Sequence, residues 1–295
     1  MKSHKDRMNL TAWIFNLPYL LYSIIFFFIP VGWAFWLATT DWNLMAEKFN
    51  YIGLKNFKKL FSSSSVIKSF WNSYRYMIPI IFGCLVLGFL IALLVSRLPK
   101  KIRGVAAVGF FIPYLVSGTA VAVMVQYVFS YNSNLSNFLR AHFDNVPINI
   151  LQSETGFWIL VAMVVWKMSG YYALFILSGI ESISEEINEA AELDGCTGIN
   201  KLFRITIPMI TPTITNVVTL SAGLSFHIFS EPYLLTGGGP MKKTTTWYLE
   251  IYNSAFVSFK AGYSSAMAIA CGLQIFLTLR LITFLMDQVN HKFGW

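Results

Sequence analysis

Between Glu181 and Asp194 the chain places six of its fourteen carboxylates in fourteen residues, and Gly195 follows. Glu185, Glu189 and Glu192 fall at i, i+4 and i+7, so a helix stacks them on one side, while Ile187, Ala190 and Ala191 mark a different, small and apolar side. Like charges stacked this way repel by a few tenths of a kcal/mol per pair, so water or a basic partner must compensate them. Acid–base catalysis would require a paired base, and none lies nearby. His4, His142, His227 and His291 are scattered, and no His-Glu-x-x-His run occurs, so a membrane enzyme is a weak reading. Gly237-Gly-Gly-Pro-Met-Lys-Lys-Thr244 superficially suggests a phosphate cradle. It fails on spacing, because Met241 stands where a glycine should precede the lysine and no buried strand leads into it.

The elements that must carry these residues follow from composition. Of 295 residues, 56% are hydrophobic and only 12% are charged, against about 25% in ordinary soluble domains. With 26 Phe, 14 Tyr and 9 Trp, the chain has more apolar surface than one soluble core could hide, which makes lipid its solvent. The net charge of +8 suits anionic headgroups; no basic, aromatic-studded soluble domain is present to bind nucleic acid. Cys84, Cys196 and Cys271 are odd in number and widely spaced, which fits small packing residues rather than disulfides or a metal site.

A membrane-crossing helix needs about 20 mostly apolar residues. Six stretches qualify, at 17–38, 77–96, 104–130, 156–180, 205–230 and 261–285. The first exceeds the short core of a secretion signal, and Phe35, Trp36 and Leu37 spoil a small-residue cleavage site, so it is expected to stay as an anchor. One membrane domain over 17–287 is the economical layout, between an N-terminal segment 1–16 and a C-terminal tail 288–295. Loop Lys and Arg residues divide ten to ten between the two sides, so the charge count leaves orientation open; the density of Arg97, Lys100, Lys101 and Arg103 favours cytoplasmic termini weakly.

Within the acidic loop, Ser182 followed by Glu185 reads as a capping box, and Gly195 stands where a left-handed residue would end the helix, giving a short helix over 183–194. Beyond it Ile199, Leu202, Phe203, Thr206 and Ile207 describe a second, amphipathic helix that runs into Pro208 and the fifth span. Lys167 lies near the middle of the fourth span, where a charge costs about 2.5 to 3.5 kcal/mol and must face protein or water. Tyr171 shares its side of the helix; on the fifth span Ser221 and Ser225 share a face, with Leu224 and Ile228 beside them. Hydroxyls, an ammonium and apolar faces could line a path for a sugar, or could equally serve helix packing. Arg280 is expected to snorkel to headgroups, Glu231 to be an interfacial charge or a gate residue, and residues 50–74 to lie on the outer membrane surface.

Glu189-Ala190-Ala191, three residues, Gly195, nine residues, then Ile205-Thr206-Ile207-Pro208 resembles the EAA loop of permease subunits in ATP-binding-cassette importers. Ile207 stands where that family prefers Leu. Trp166-Lys-Met-Ser-Gly170 through Leu177-Ser-Gly-Ile180, Tyr51-Ile-Gly-Leu-Lys-Asn-Phe57 and Leu235-Thr-Gly-Gly-Gly-Pro240 are similar to the maltose-type sugar permeases, over about residues 17–290. The resemblance implies an all-α membrane protein with six transmembrane helices, the type I importer permease fold, and a cytoplasmic coupling helix. It implies that Glu189, Ala190, Ala191, Asp194, Gly195, Ile205 and Pro208 form the contact to an ATPase subunit, and that Lys167, Tyr171, Ser221, Leu224, Ser225 and Ile228 lie on the substrate pathway. The expected partners are a second homologous permease subunit, two cytoplasmic ATP-binding subunits that use ATP and Mg, and an extracellular solute-binding protein. This chain itself is expected to bind no cofactor. The alternative is an ion-coupled secondary transporter or channel, which would carry carboxylates deep in its spans; none is expected here.

Overall fold

The computed structural model describes residues 4–143, 146–292 and 294. Residues at the two ends of the expected terminal segments, Lys2 among them, lie outside this set. Everything described is helix and connecting turn, apart from one bridging pair, Thr40 with Tyr51.

The chain divides into two compact units, residues 1–63 with 251–270, and residues 64–250 with 271–295. In the first unit, α1 (His4–Ser23) passes through a π-helical turn at Ile24–Phe28 into α2 (Ile29–Leu37). From Trp13 to Leu37 this rod is long and apolar enough to cross a membrane, and it leaves Phe15, Phe26, Phe27 and Trp33 exposed, as lipid-facing residues would be. The turn after it is held by Asn56, on α3 (Lys55–Ser62), whose Nδ2 donates to Ala38 O at 2.9 Å and Thr40 O at 2.7 Å. Gly53, at φ +60°, makes the bend that brings Asn56 there.

The second unit is built on two long helices, α4 (Ser64–Ser96) and α8 (Glu154–Glu181). Between them come α5 (Lys100–Leu115), α6 (Gly118–Val128) and α7 (Asn134–His142). After them come α9 (Glu185–Leu193), α10 (Gly198–Lys201), a π turn at Leu202–Thr206, α11 (Ile207–Met209), α12 (Thr211–Phe226) and α13 (Ser230–Leu235). Then α14 (Trp247–Tyr252) leads through a π turn at Asn253–Val257 to α15 (Ala261–Lys292), whose later part belongs to this unit.

Tyr76, Ile80 and Cys84 of α4 meet Phe157, Leu160, Val164 and Ile176 of α8 in one buried cluster. Between apolar helices in hydrocarbon the close approach of backbones matters more than apolar burial, and it needs small residues. A Cβ on Gly88 would lie 3.4 Å from both Ser169 O and Ala173 N of α8. On Gly170 it would fall 1.8 Å from Phe110 O of α5, so no side chain fits there. Cys84 and Cys271 are buried packing residues and Cys196 is half-buried; all three are free thiols.

Four helices are long and apolar enough to cross a membrane, and two bent pairs bring the number to six if each pair is one span. Three expectations change in detail. The third span is not one rod over 104–130: α5 and α6 meet at 83°, with extended backbone at Val116 and Ser117. The fifth is not one rod over 205–230: α10 to α11 lie at 73° to α12. Residues 64–74 do not lie in a separate surface segment but form the first turns of α4, about 50 Å long at 1.5 Å per residue.

Gly170→Ala is expected to destabilise the fold by more than the about 1–3 kcal/mol of ordinary overpacking, because backbone rather than a movable side chain is in the way. Gly109→Ala, with nothing within 4 Å, serves as the neutral control. Thermal unfolding of the two variants in detergent makes the comparison.

Candidate functional site

At the end of α8, Ser182 closes the helix, its Oγ donating to Gly179 O at 2.7 Å. The capping box expected at Ser182 is therefore not formed. α9 starts after Ser184, whose backbone is extended as an N-cap requires, whereas Ser182 keeps the helical backbone of the end of α8. At its other end the expected glycine stop is present. Gly195 has φ +71°, its N–H donates to Glu192 O at 3.1 Å, and Cys196 N–H reaches Ala191 O at 2.8 Å, the paired bonds of a Schellman end.

The carboxylates of this loop divide into two sets. Glu192 takes Lys201 Nζ at 3.1 Å, and Glu181 takes Arg103 Nη1 at 2.7 Å. Among the described residues, Glu185, Glu186, Glu189 and Asp194 enter no ion pair. Glu189 and Ala190 are exposed, Ala191 is buried, and Leu193 is 90% exposed. Among the described residues nothing covers that mixed acidic and apolar face. Ile205 and Pro208 are half-buried in the arm beyond Gly198, before the bend at Ile210, and so stand on the other side of that bend from α12. A groove of about 1070 Å³ lies under the loop, lined by Lys100, Arg103, Glu181, Asn188 and Lys201 among others.

A second cluster forms where the broken helices meet α8. Lys167 is 9% exposed, and its ammonium makes no hydrogen bond or ion pair among the described residues. Gly118, the first residue of α6, explains the space beside it: a Cβ there would lie 3.1 Å from Glu231 Oε1 and 3.4 Å from Lys167 Nζ. The bend in the third span and the chain reversal after α12 thus bring an ammonium and a carboxylate to the same glycine. Tyr171 stacks on Tyr114 at 4.5 Å and 14°.

Other expected members are placed differently. Ser221 Oγ donates to its own helix, with Val217 O at 2.7 Å and Val218 O at 3.1 Å, and Ser225 Oγ donates to Ala222 O at 2.6 Å. Both serines are buried, so their hydroxyls are turned to backbone. Leu224 packs half-buried against the α4–α8 cluster, and Ile228 is buried, its carbonyl accepting Thr246 Oγ1 at 2.8 Å. Sequence reasoning missed Gly118 and Tyr114, and left Glu231 at a span's outer end. The available signal was Pro113 with Ser117-Gly118 inside an apolar run, the mark of a discontinuous helix lining a site.

Just after the Thr236–Pro240 loop, whose role the sequence leaves open, residues 241–245 form a fastening. Asn72 Nδ2 donates to Lys242 O and Thr245 O, both at 2.9 Å; Tyr76 donates to Thr244 O at 3.1 Å and Lys68 to Met241 O at 3.1 Å. Lys243 pairs with Glu154 at the start of α8. The carbonyls of Met241, Lys242, Thr244 and Thr245 therefore face α4, and the hydroxyls of Thr236 and Thr244 bond each other at 2.7 Å.

A family model described as binding-protein-dependent transport system inner membrane component matches residues 84–294. The chain is 31% identical over 294 residues to the probable ABC transporter permease protein YurN of Bacillus subtilis, covering 98% of each. It is 28% identical over 286 residues to the multiple sugar-binding transport system permease protein MsmF of Streptococcus mutans, covering 96% of each. To the sn-glycerol-3-phosphate transport system permease protein UgpA of Salmonella typhimurium it is 26% identical, over 93% of this chain and 94% of that one. Its fold matches a chain of a bacterial alginate ABC transporter, crystallised with an alginate pentasaccharide-bound periplasmic protein. The TM-score is 0.83 at 22% identity, over 98% of this chain and 99% of that one.

Asn72→Ala removes the side-chain donor to Thr245 O and leaves Lys242 O with only the N–H of Thr245, at 3.3 Å; an unsatisfied buried group costs about 1–3 kcal/mol. The variant is expected to unfold at lower temperature in detergent and to be cleaved faster between residues 236 and 245.

Proposed function

The chain belongs to the family of binding-protein-dependent transport system inner membrane components, and from that premise we propose that it is the permease subunit of an ATP-driven carbohydrate importer. As a multi-pass membrane subunit it is a transport component rather than an enzyme. In this reading it pairs with a second, homologous permease subunit, receives solute from an extracellular binding protein and is driven by two cytoplasmic ATP-binding subunits. ATP and Mg belong to those subunits.

The observation that carries the reading is α9: a short helix with a glycine stop, presenting Glu189 without an ion-pair partner next to exposed Ala190 and Leu193. A basic cleft on an ATPase subunit would satisfy the carboxylate and cover the leucine at once. Asp194 and Gly195 form its stop, and Ile205 and Pro208 hold the arm that anchors it to α12. Docking of that kind places the 181–208 loop and both chain termini in the cytoplasm. The substrate path runs past Lys167, Tyr171, Leu224 and Ile228, where an ammonium, aromatic faces and aliphatic surface suit the hydroxyls and apolar faces of a sugar. Ser221 and Ser225 belong to the wall of that path through their helix packing. The proximity of Glu231 to Lys167 brings one carboxylate closer to that path than the sequence suggested, but the family premise leaves an ion-coupled mechanism without support.

Glu189→Lys is expected to abolish ATP-driven uptake by the reconstituted complex while this chain still inserts in the membrane; unchanged uptake would sink the docking role. Lys167→Met and Tyr171→Ala are expected to lower uptake about tenfold, a loss of about 1.4 kcal/mol of interaction. Ser221→Ala, which loses only a bond within its own helix, should stay within about twofold. The solute used is the carbohydrate that, with the binding protein, most stimulates the complex's ATPase.

A further inference from the structure

We infer that Arg103 is a positioning residue that ties the α4–α5 connection to the root of the α9 loop, so that displacement of α9 reaches the third span. This rests on the coupling role proposed for α9. Two charges are each misplaced with respect to their own helix. Arg103 sits in the first turn of α5, where the positive end of the helix dipole disfavours a cation, and Glu181 is the last residue of α8, where the negative end disfavours an anion. Each placement is compensated only when the two elements are considered together. Arg103 Nη1 donates to Glu181 Oε1 at 2.7 Å, and Nη2 donates to Ser96 O at 2.6 Å and Leu98 O at 3.1 Å, the last carbonyls of α4 and its exit turn. One rigid fork thus holds the ends of α4 and α8 together, a geometry that an ammonium cannot reproduce.

The cost of this arrangement is visible in the same side chain. Arg103 Nε is buried with no hydrogen-bond partner, while the side chain as a whole is 24% exposed, so water only partly screens the pair. The α4–α5 connection and the loop side, with Asn188 and Lys201, both line the groove under the loop, and among the described residues the Arg103–Glu181 pair is the ion pair that joins residues of the α4–α5 side to the root of the loop. From Glu181 the chain reaches the first residue of α9 through Ser182, Ile183 and Ser184 alone. Farther along, Gly170 against Phe110 O fixes α5 to α8 where there is no room to slide. With both attachments made, α5 and α8 move as one rod. With the first removed, α9 can shift at the end of α8 without carrying the α4–α5 connection along.

The test uses the complete complex with its ATPase subunits and binding protein in nanodiscs, in a Cys196→Ser background. The fluorescent amino acid acridonylalanine replaces Tyr127, an exposed residue of α6. ATP with vanadate is the probe. The parent complex is expected to show a spectral shift on trapping. Arg103→Ala should reduce that shift about tenfold while ATP hydrolysis stays within about twofold, as expected when a coupling of about 1.4 kcal/mol is lost. Arg103→Cys combined with Glu181→Cys should behave like Arg103→Ala until a short bismaleimide bridges the two, and then regain the shift; this also separates lost positioning from misfolding. A full shift in Arg103→Ala, or no recovery on bridging, overturns the proposal. Glu189→Lys distinguishes the two readings. If it loses the shift while Arg103→Ala keeps it, only the Arg103 tie fails; if both keep it, the coupling role of α9 fails as well.

Discussion

The contact of Gly170 with the carbonyl of Phe110 is the constraint on which the second unit depends. Lipid tails are as apolar as leucine, so helices in a bilayer gain little from hiding apolar side chains from it and must instead bring their backbones close. Gly88 against Ser169 and Ala173 does on one side of α8 what Gly170 does on another. Held on both sides, α8 becomes the rod that carries Lys167 and Tyr171 along its length and Glu181 at its end. The polar cluster and the root of the acidic loop are therefore carried on one helix.

The two bends follow from a different demand. Backbone groups freed by a break cannot be left to hydrocarbon, so a broken span is tolerated only where protein or an aqueous cavity receives it. The bend at Val116 and Ser117 delivers Gly118 beside Lys167 and Glu231, and the stretch after α12 is stitched by Thr246 to Ile228 O and by Asn72, Tyr76 and Lys68 to residues 241–245. Residues 241–245 are thus held by side chains of the regular helix α4. The same logic explains why Ser221 and Ser225 turn inward: in an apolar setting a hydroxyl finds its nearest acceptor on its own helix.

Much of the architecture could be read in advance because the rules involved are local. Apolar run length marked the spans, and the spacing of Glu189, Gly195 and Pro208 marked the acidic loop and its stop at Gly195. The errors are local rules applied where two sites compete or where a partner lies far along the chain. Ser182 had the right spacing for a capping box, yet its backbone stays helical at the end of α8, and an N-cap residue needs a non-helical backbone. Pro113 and Gly118 were available as break signals, but in a run with no charge their apolar neighbours outweighed them.

By itself the sequence determined that this is a helical membrane protein with a glycine-terminated acidic helix between its fourth and fifth apolar runs, because hydropathy, helical period and glycine conformation depend on neighbours a few residues apart. The tertiary structure alone decided that Glu231 and Lys167 both approach Gly118, that Tyr114 stacks on Tyr171, and that Arg103 clasps Glu181. These pairs are 64, 57 and 78 positions apart along the numbering. No periodicity spans such separations; they are fixed by which helix faces carry glycine, and hence by how closely the backbones can approach.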